Sequence, residues 1–137
     1  MTVLALDHVN LRTPYPARTI RFFREVLLMK VGGPPGMAAG EGGWVYDSND
    51  LPVVHIGAAE SPYPTDELIP FSPATGGGAV HHVALRCADY AGVKGRLQAL
   101  DLEFHESAYP KLGLTQIFVA EPNGVLFELN FREGEAA

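Results

Sequence analysis

Apolar positions along this chain follow two periods in turn. Residues 3–12 alternate as a half-buried strand does, with Val9 and Leu11 on one face and His8 and Asn10 on the other. The spacing then changes to three and four at Ile20, Phe23 and Leu27, the apolar stripe of a helix opened by Thr13-Pro14. Gly32-Gly33-Pro34-Pro35-Gly36 ends that helix and begins an irregular stretch. Strands follow at Trp44–Tyr46 and Val53–Ile56, joined by the turn Asp47-Ser48-Asn49-Asp50.

Residues 57–79 carry no period, only Pro62, Pro64, Pro70, Pro73 and the triplet Gly76-Gly77-Gly78. A loop of that length is a linker or a functional lid, less ordered than the strands and lying beside a cavity mouth. Beyond it the order repeats. A strand spans Val80–Cys87, and Asp89 caps a helix with Val93, Leu97 and Leu100 on one face. Further strands follow near Glu103–His105, Thr115–Val119 and Val125–Phe131, the last entered through the turn Pro122-Asn123-Gly124. Each half reads as strand, helix, then about three strands. The expectation is one α+β domain over 1–137, its two curved sheets packed in one unit because neither half is stable alone. Module one covers about 1–59, a linker about 60–79 and module two about 80–131.

The halves also share chemistry. Asp7-His8-Val9-Asn10-Leu11-Arg12 returns as His81-His82-Val83-Ala84-Leu85-Arg86. His8 and His82 are 74 residues apart (82 − 8), and His55 and Glu128 are 73 apart (128 − 55). These near-constant offsets mark an internal duplication in which polar residues recur inside apolar strands. A lone strand histidine is more often hydrogen-bonded or at the surface than a ligand. Glu128, between Phe127 and Leu129, needs a cation or a polar cavity. Arg12 or Arg86 could supply that cation, giving a structural ion pair and no metal. If instead the halves pack about a pseudo-twofold axis, His8, His55, His82 and Glu128 converge on one concave surface. Imidazole with carboxylate suits a divalent iron, manganese, zinc, nickel or cobalt ion at about 2.0–2.2 Å. Two histidines and one carboxylate also form the facial set of non-haem iron.

Other polar residues are less specific. Alternation places Asn10, Gln116, Phe118 and Asn130 as substrate contacts or as mere filling of the sheet surface; Tyr109 and Lys111 could join them from a loop. His81 falls on the face opposite His82, and His105, between Glu103 and Glu106, is expected in solvent. No Ser/His/Asp order, phosphate-binding loop or zinc-finger cysteine pair is present.

Composition narrows the class. The 137 residues suit one domain, and a net charge of −6 offers no footprint for nucleic acid or an anionic membrane. Cys87 is the sole cysteine, which excludes an intrachain disulfide and suits a reducing compartment; its apolar neighbours suggest a buried structural thiol. The apolar run at the N-terminus is too short for a signal peptide, and no window reaches the length of a membrane span. The expected location is cytoplasmic.

Leu6-Asp7-His8-Val9, His81-His82-Val83-Ala84-Leu85 and Glu121-Pro122-Asn123-Gly124-Val125-Leu126-Phe127-Glu128-Leu129 together resemble the vicinal oxygen chelate superfamily. That superfamily includes glyoxalase I, methylmalonyl-CoA epimerase, extradiol dioxygenases and fosfomycin-resistance transferases. The resemblance covers about residues 4–131. It implies two tandem βαβββ modules forming an open, curved mixed β-barrel around a metal site, with His8, His55, His82 and Glu128 as ligands. It further implies Glu128 as catalytic base, a small-molecule substrate with adjacent oxygens, and a homodimer whose sites lie within one chain or between two. Two departures stand out. Glyoxalase I usually has a glutamate where this chain has His55. Extradiol dioxygenases have a tyrosine at the place of Phe118 and a histidine several residues before it, and none lies near Tyr109–Lys111. The leading expectation is therefore a glyoxalase-type lyase or isomerase that chelates vicinal oxygens and stabilises an enolate. The alternatives are a non-haem iron dioxygenase and a non-catalytic small-molecule binding protein.

Overall fold

A computed structural model describes residues 1–34 and 41–135. The chain divides into two compact units, Met1–Pro73 and Ala74–Ala137. The first contains β1 (Val9–Thr13), α1 (Pro16–Glu25), β2 (Lys30–Gly32), β3 (Gly42–Tyr46) and β4 (Pro52–Ala58). The second contains β5 (His82–Cys87), α2 (Tyr90–Ala99), β6 (His105–Tyr109), β7 (Leu114–Ala120) and β8 (Leu126–Arg132). Their sheets have matching orders, β1-β4-β3-β2 and β5-β8-β7-β6. In each, the first strand lies parallel to the last, and the remaining neighbours are antiparallel. A parallel pair needs a crossover, which the helix and the intervening strands provide. These are two βαβββ modules, each with an open four-stranded mixed sheet.

Strand alternation gives each sheet one packed face. In module one Leu11, Thr13, Val45, Val54, Ile56 and Ala58 are buried together with Phe22, Phe23 and Val26 of α1 and its cap. In module two Ile117, Val119, Phe127, Leu129 and Phe131 play the same part with Val93 and Leu97 of α2. The face left over carries the polar residues of the repeat, so sequence period decides which side holds chemistry.

Several element limits differ from the sequence pattern. β1 starts at Val9, and Leu4 and Leu6 before it are exposed, because its partner β4 begins only at Pro52 and the first pair is Val9–Val54. A strand cannot outrun its ladder. Thr13 does not cap α1. It is fully buried at the end of β1, where its hydroxyl accepts the Tyr15 N–H at 2.9 Å, and the helix starts at Pro16. The buried stripe of α1 runs through Thr19, Phe22 and Phe23, leaving Ile20 and Leu27 half-buried. Lys30–Gly32, which ends at the first glycine of the expected irregular stretch, is an edge strand with a single apolar residue, too short to show a period. Pro35 and Gly36 lie outside the described residues.

In module two, β5 starts at His82 and not at Val80, and Leu100 is an exposed cap residue outside α2. Asp89 caps the helix as predicted, accepting the Gly92 N–H at 3.1 Å. The strand expected near Glu103–His105 runs instead from His105 to Tyr109; its His-Glu-Ser start hides it from any apolar pattern. The segment 57–79 is structured in part: β4 continues to Ala58, and Pro64–Glu67 forms a 3-10 turn.

Candidate functional site

Register places the predicted ligands at matching points of the two sheets. Across module one, Asn10, His55 and Trp44 sit side by side on β1, β4 and β3. Across module two, Ala84, Glu128 and Phe118 do so on β5, β8 and β7. His55 thus occupies in its sheet the place Glu128 occupies in the other. His8 and His82 flank those rows, one immediately before β1 and one opening β5.

Each histidine has its Nδ1 side engaged close by. His8 Nδ1 lies 2.6 Å from Asp7 Oδ1. His82 Nδ1 lies 2.9 Å from His81 Nδ1. His55 donates to the backbone carbonyl of Pro52, while its Nε2 is buried without a partner among the described residues. Holding one ring nitrogen orients the other, the arrangement metal-binding histidines use. Burial, followed by repulsion from His8, lowers the His55 pKa below the ordinary histidine value. A neutral imidazole is the form a metal requires. His81 therefore does not act apart from His82. It precedes β5, so strand alternation does not govern its direction, and the two rings meet edge to face at 5.2 Å.

Among the described residues Glu128 has no arginine partner. Arg12 is bound to both carboxylate oxygens of Asp66, and Arg86 to Glu135, which removes an arginine ion pair as an account of Glu128. Its Oε2 accepts from Asn130 Nδ2 at 2.9 Å, and Asn130 Oδ1 in turn accepts from Gln116 Nε2 at 2.9 Å. The other oxygen, Oε1, stands 3.9 Å from His82 Nε2. Two donors about 2.1 Å from one ion lie about 3–4 Å apart, so His82 and Glu128 fit a shared divalent cation.

His8 and His55 fit less well as they stand. Their rings stack with centroids 3.7 Å apart and planes 12° from parallel. An imidazole lone pair lies in the ring plane, so two nearly parallel stacked rings cannot both aim at one ion. Trp44 stacks against His55 from the β3 side, with centroids 4.7 Å apart. Among the described residues no group of three or more His, Cys, Asp or Glu side chains is assembled to hold a metal. The structure thus brings the four candidates together as two pairs, each within its own module.

The remaining candidates follow from the same registers. Phe118, Gln116 and Asn130 share the Glu128 face, and Asn10 shares the His55 face, where it accepts from the Tyr63 hydroxyl at 3.3 Å. An open cavity of about 460 Å³ beside that row in module two is lined by Ala84, Leu85, Arg86, Asn130 and Arg132. His105 is exposed, but the β6–β7 pairing sets it opposite Phe118, with ring centroids 6.2 Å apart. A histidine does neighbour Phe118, then, but across a hairpin and not a few residues before it along the chain. Tyr109 ends β6, and Lys111 lies in the 3-10 turn of that hairpin. Sequence reasoning also passed over Trp44, although it stands 74 residues before Phe118 (118 − 44), the offset of the repeat itself. Tyr63 and Asp66, in the join, had no such signal.

Glu121 explains why the Glu-Pro-Asn-Gly stretch is distinctive. It is 2% exposed, and its carboxylate accepts from the backbone of Asn123 and Val125 and from the Asn123 side chain. The motif is a turn lock leading into β8.

Comparison with known proteins supports the architecture. An integron cassette protein from the mobile metagenome of V. cholerae superposes with a TM-score of 0.67 at 13% identity, covering 96% of this chain and 97% of its own. A lactoylglutathione lyase from Agrobacterium tumefaciens gives 0.64 at 16% identity, with 96% of each chain covered. A glutamate-to-glutamine mutant of the fosfomycin resistance protein FosX from Listeria monocytogenes, complexed with Mn(II) and 1S,2S-dihydroxypropylphosphonic acid, gives 0.64 at 14% identity over 98% and 95%. At such identities the likeness is one of fold. No curated protein sequence matches the chain. The family model of the Glyoxalase/Bleomycin resistance protein/Dioxygenase superfamily matches residues 5–129, so with its paired βαβββ modules this chain belongs to that superfamily.

Proposed function

We propose that this chain is a metal-dependent lyase or isomerase of the glyoxalase type, acting on a small molecule with two adjacent oxygens. The observation that carries the reading is the matched register of His55 and Glu128, each flanked by a histidine whose Nδ1 is engaged by the residue before it. His8, His55, His82 and Glu128 would hold one divalent iron, manganese, zinc, nickel or cobalt ion. When bound, that ion supplies Lewis-acid stabilisation of negative charge on the neighbouring oxygens.

The rest is the work of side chains. Asn130 anchors one oxygen of Glu128, and the other, once loosened from the ion it would help to hold, can take a proton from a substrate carbon next to a carbonyl. Phe118, opposite Glu128, gives that carbon an apolar wall and neither donates nor accepts a proton. Asn10, Gln116 and Asn130 contribute amides for substrate oxygens. The net charge of −6 supports a small-molecule ligand over nucleic acid. Among the described residues no helix is long and apolar enough to cross a membrane. Leu4 and Leu6, 95% and 81% exposed, are apolar surface that a second copy would cover in the proposed cytoplasmic homodimer.

A dioxygenase is the second reading, and His105 beside Phe118 is what favours it, since ring cleavage needs an acid–base group. One comparison separates the two. The iron- or manganese-loaded protein is given catechols under air, and small α-hydroxy-carbonyl compounds in deuterated water. Deuterium at the substrate carbon without oxygen uptake supports the lyase or isomerase. Ring cleavage without deuterium exchange reverses the order, and a protein that takes up no metal is the binding module.

A further inference from the structure

The duplication breaks at one row. In module two the row beyond Glu128 carries Arg86, Asn130 and Gln116 across β5, β8 and β7. The matching row of module one carries Arg12, Gly57 and Gly42, so both side chains beyond the arginine are reduced to hydrogen. The space above Gly57 is not empty. A Cβ there would collide with the hydroxyl oxygen of Tyr63, which reaches back over β4 from the segment that follows it.

That phenol is held from several sides. Arg12 stacks on its ring with the guanidinium carbon 4.1 Å from the centroid, and Phe71 lies under the same guanidinium at 4.3 Å. Asp66, the carboxylate that binds Arg12, also accepts the Tyr63 backbone N–H at 3.0 Å. Arg12 further donates to the Ser61 carbonyl at 2.9 Å. Among the described residues the hydroxyl makes one long bond, 3.3 Å to Asn10 Oδ1, in an exposed setting. Rigid ring and loosely engaged hydroxyl together describe a donor kept in place for something else. Filling space would not require a bare glycine row.

We propose that the Tyr63 hydroxyl donates a hydrogen bond to a third substrate oxygen, doing in module one what the Asn130 amide is placed to do in module two. Asn10, its present acceptor, pairs with His55 on the neighbouring strand. Same-face neighbours along a strand are about 6.5–7 Å apart, and the hydroxyl lies over Gly57, two residues along β4 from His55, so a small molecule can reach from one to the other. The substrate class this selects is a compact polyoxygenated acid or carbonyl compound: two adjacent oxygens for the ion and a further oxygen beyond them. The inference rests on the function proposed above.

Glycerate and lactate test it, because both offer a carboxylate and an adjacent hydroxyl and only glycerate carries a further hydroxyl on the next carbon. Calorimetry on the manganese-loaded full chain is expected to show glycerate bound about tenfold more tightly, the worth of one hydrogen bond. Tyr63→Phe should erase that ratio while leaving lactate affinity and thermal stability unchanged. Gly57→Ala, which expels the hydroxyl without removing it, should erase the ratio too. A ratio retained in Tyr63→Phe, or absent from the unmodified protein, overturns the role of Tyr63 alone. Failure of both acids to bind the unmodified protein overturns the function reading and this inference with it.

Discussion

His8 lies flat on His55, ring centroids 3.7 Å apart, and in that pose the two nitrogens cannot serve one ion. His8 precedes β1 and is not held by any ladder, whereas His55 is fixed in the middle of β4. If both are ligands, His8 must turn. Adding zinc should therefore abolish the ring-current shift that each imidazole imposes on the other and change the fluorescence of Trp44, stacked on His55. Stoichiometric zinc with both imidazole spectra unmoved would remove His8 and His55 from the ligand set.

The His82–Glu128 pair should carry most of the metal affinity. Alanine at either position is expected to abolish binding, and His55→Ala to weaken it. Asn130→Ala removes the donor that orients Glu128 and should cost about 10–100-fold in metal affinity, the usual worth of such supporting groups. Full metal content in both the His82→Ala and Glu128→Ala proteins would refute the assignment.

Burial pushes the Cys87 thiol up to about 11 from its ordinary 9.0. Its pKa is higher folded than unfolded, so its contribution to stability is whole below about pH 9 and is lost as the pH rises through about 11. Thiolate absorbance, taken as the difference from Cys87→Ser, should appear only near the upper value. A thiolate signal complete by pH 9 would show that the thiol is not buried as described.

Glu121→Ala leaves the N–H groups of Asn123 and Val125 without their acceptor and should destabilise the fold by about 2–4 kcal/mol. Metal affinity per folded molecule should hardly change. Urea unfolding of this variant at the midpoint of the parent protein would mean the turn is held by other bonds.

How much of this the sequence contained depends on the kind of contact. Period and duplication are local and repeated, so alternation faced His8 and His82 away from the helices, and the 73-residue offset assigned His55 and Glu128 to equivalent strands. The paired βαβββ architecture followed from the same signal. Contacts across a ladder or back from a loop leave no period. Nothing in the order of residues sets His105 opposite Phe118; a hairpin register does. Nothing links Arg12 to Asp66 except the return of the chain after β4, and that pairing, with the one between Arg86 and Glu135, decided that neither arginine belongs to Glu128. Gly57 shows the limit most plainly. In sequence it is a small residue where the repeat has Asn130, and only the fold reveals that its missing side chain makes room for the Tyr63 hydroxyl, because steric exclusion acts between atoms that are distant along the chain and close in space.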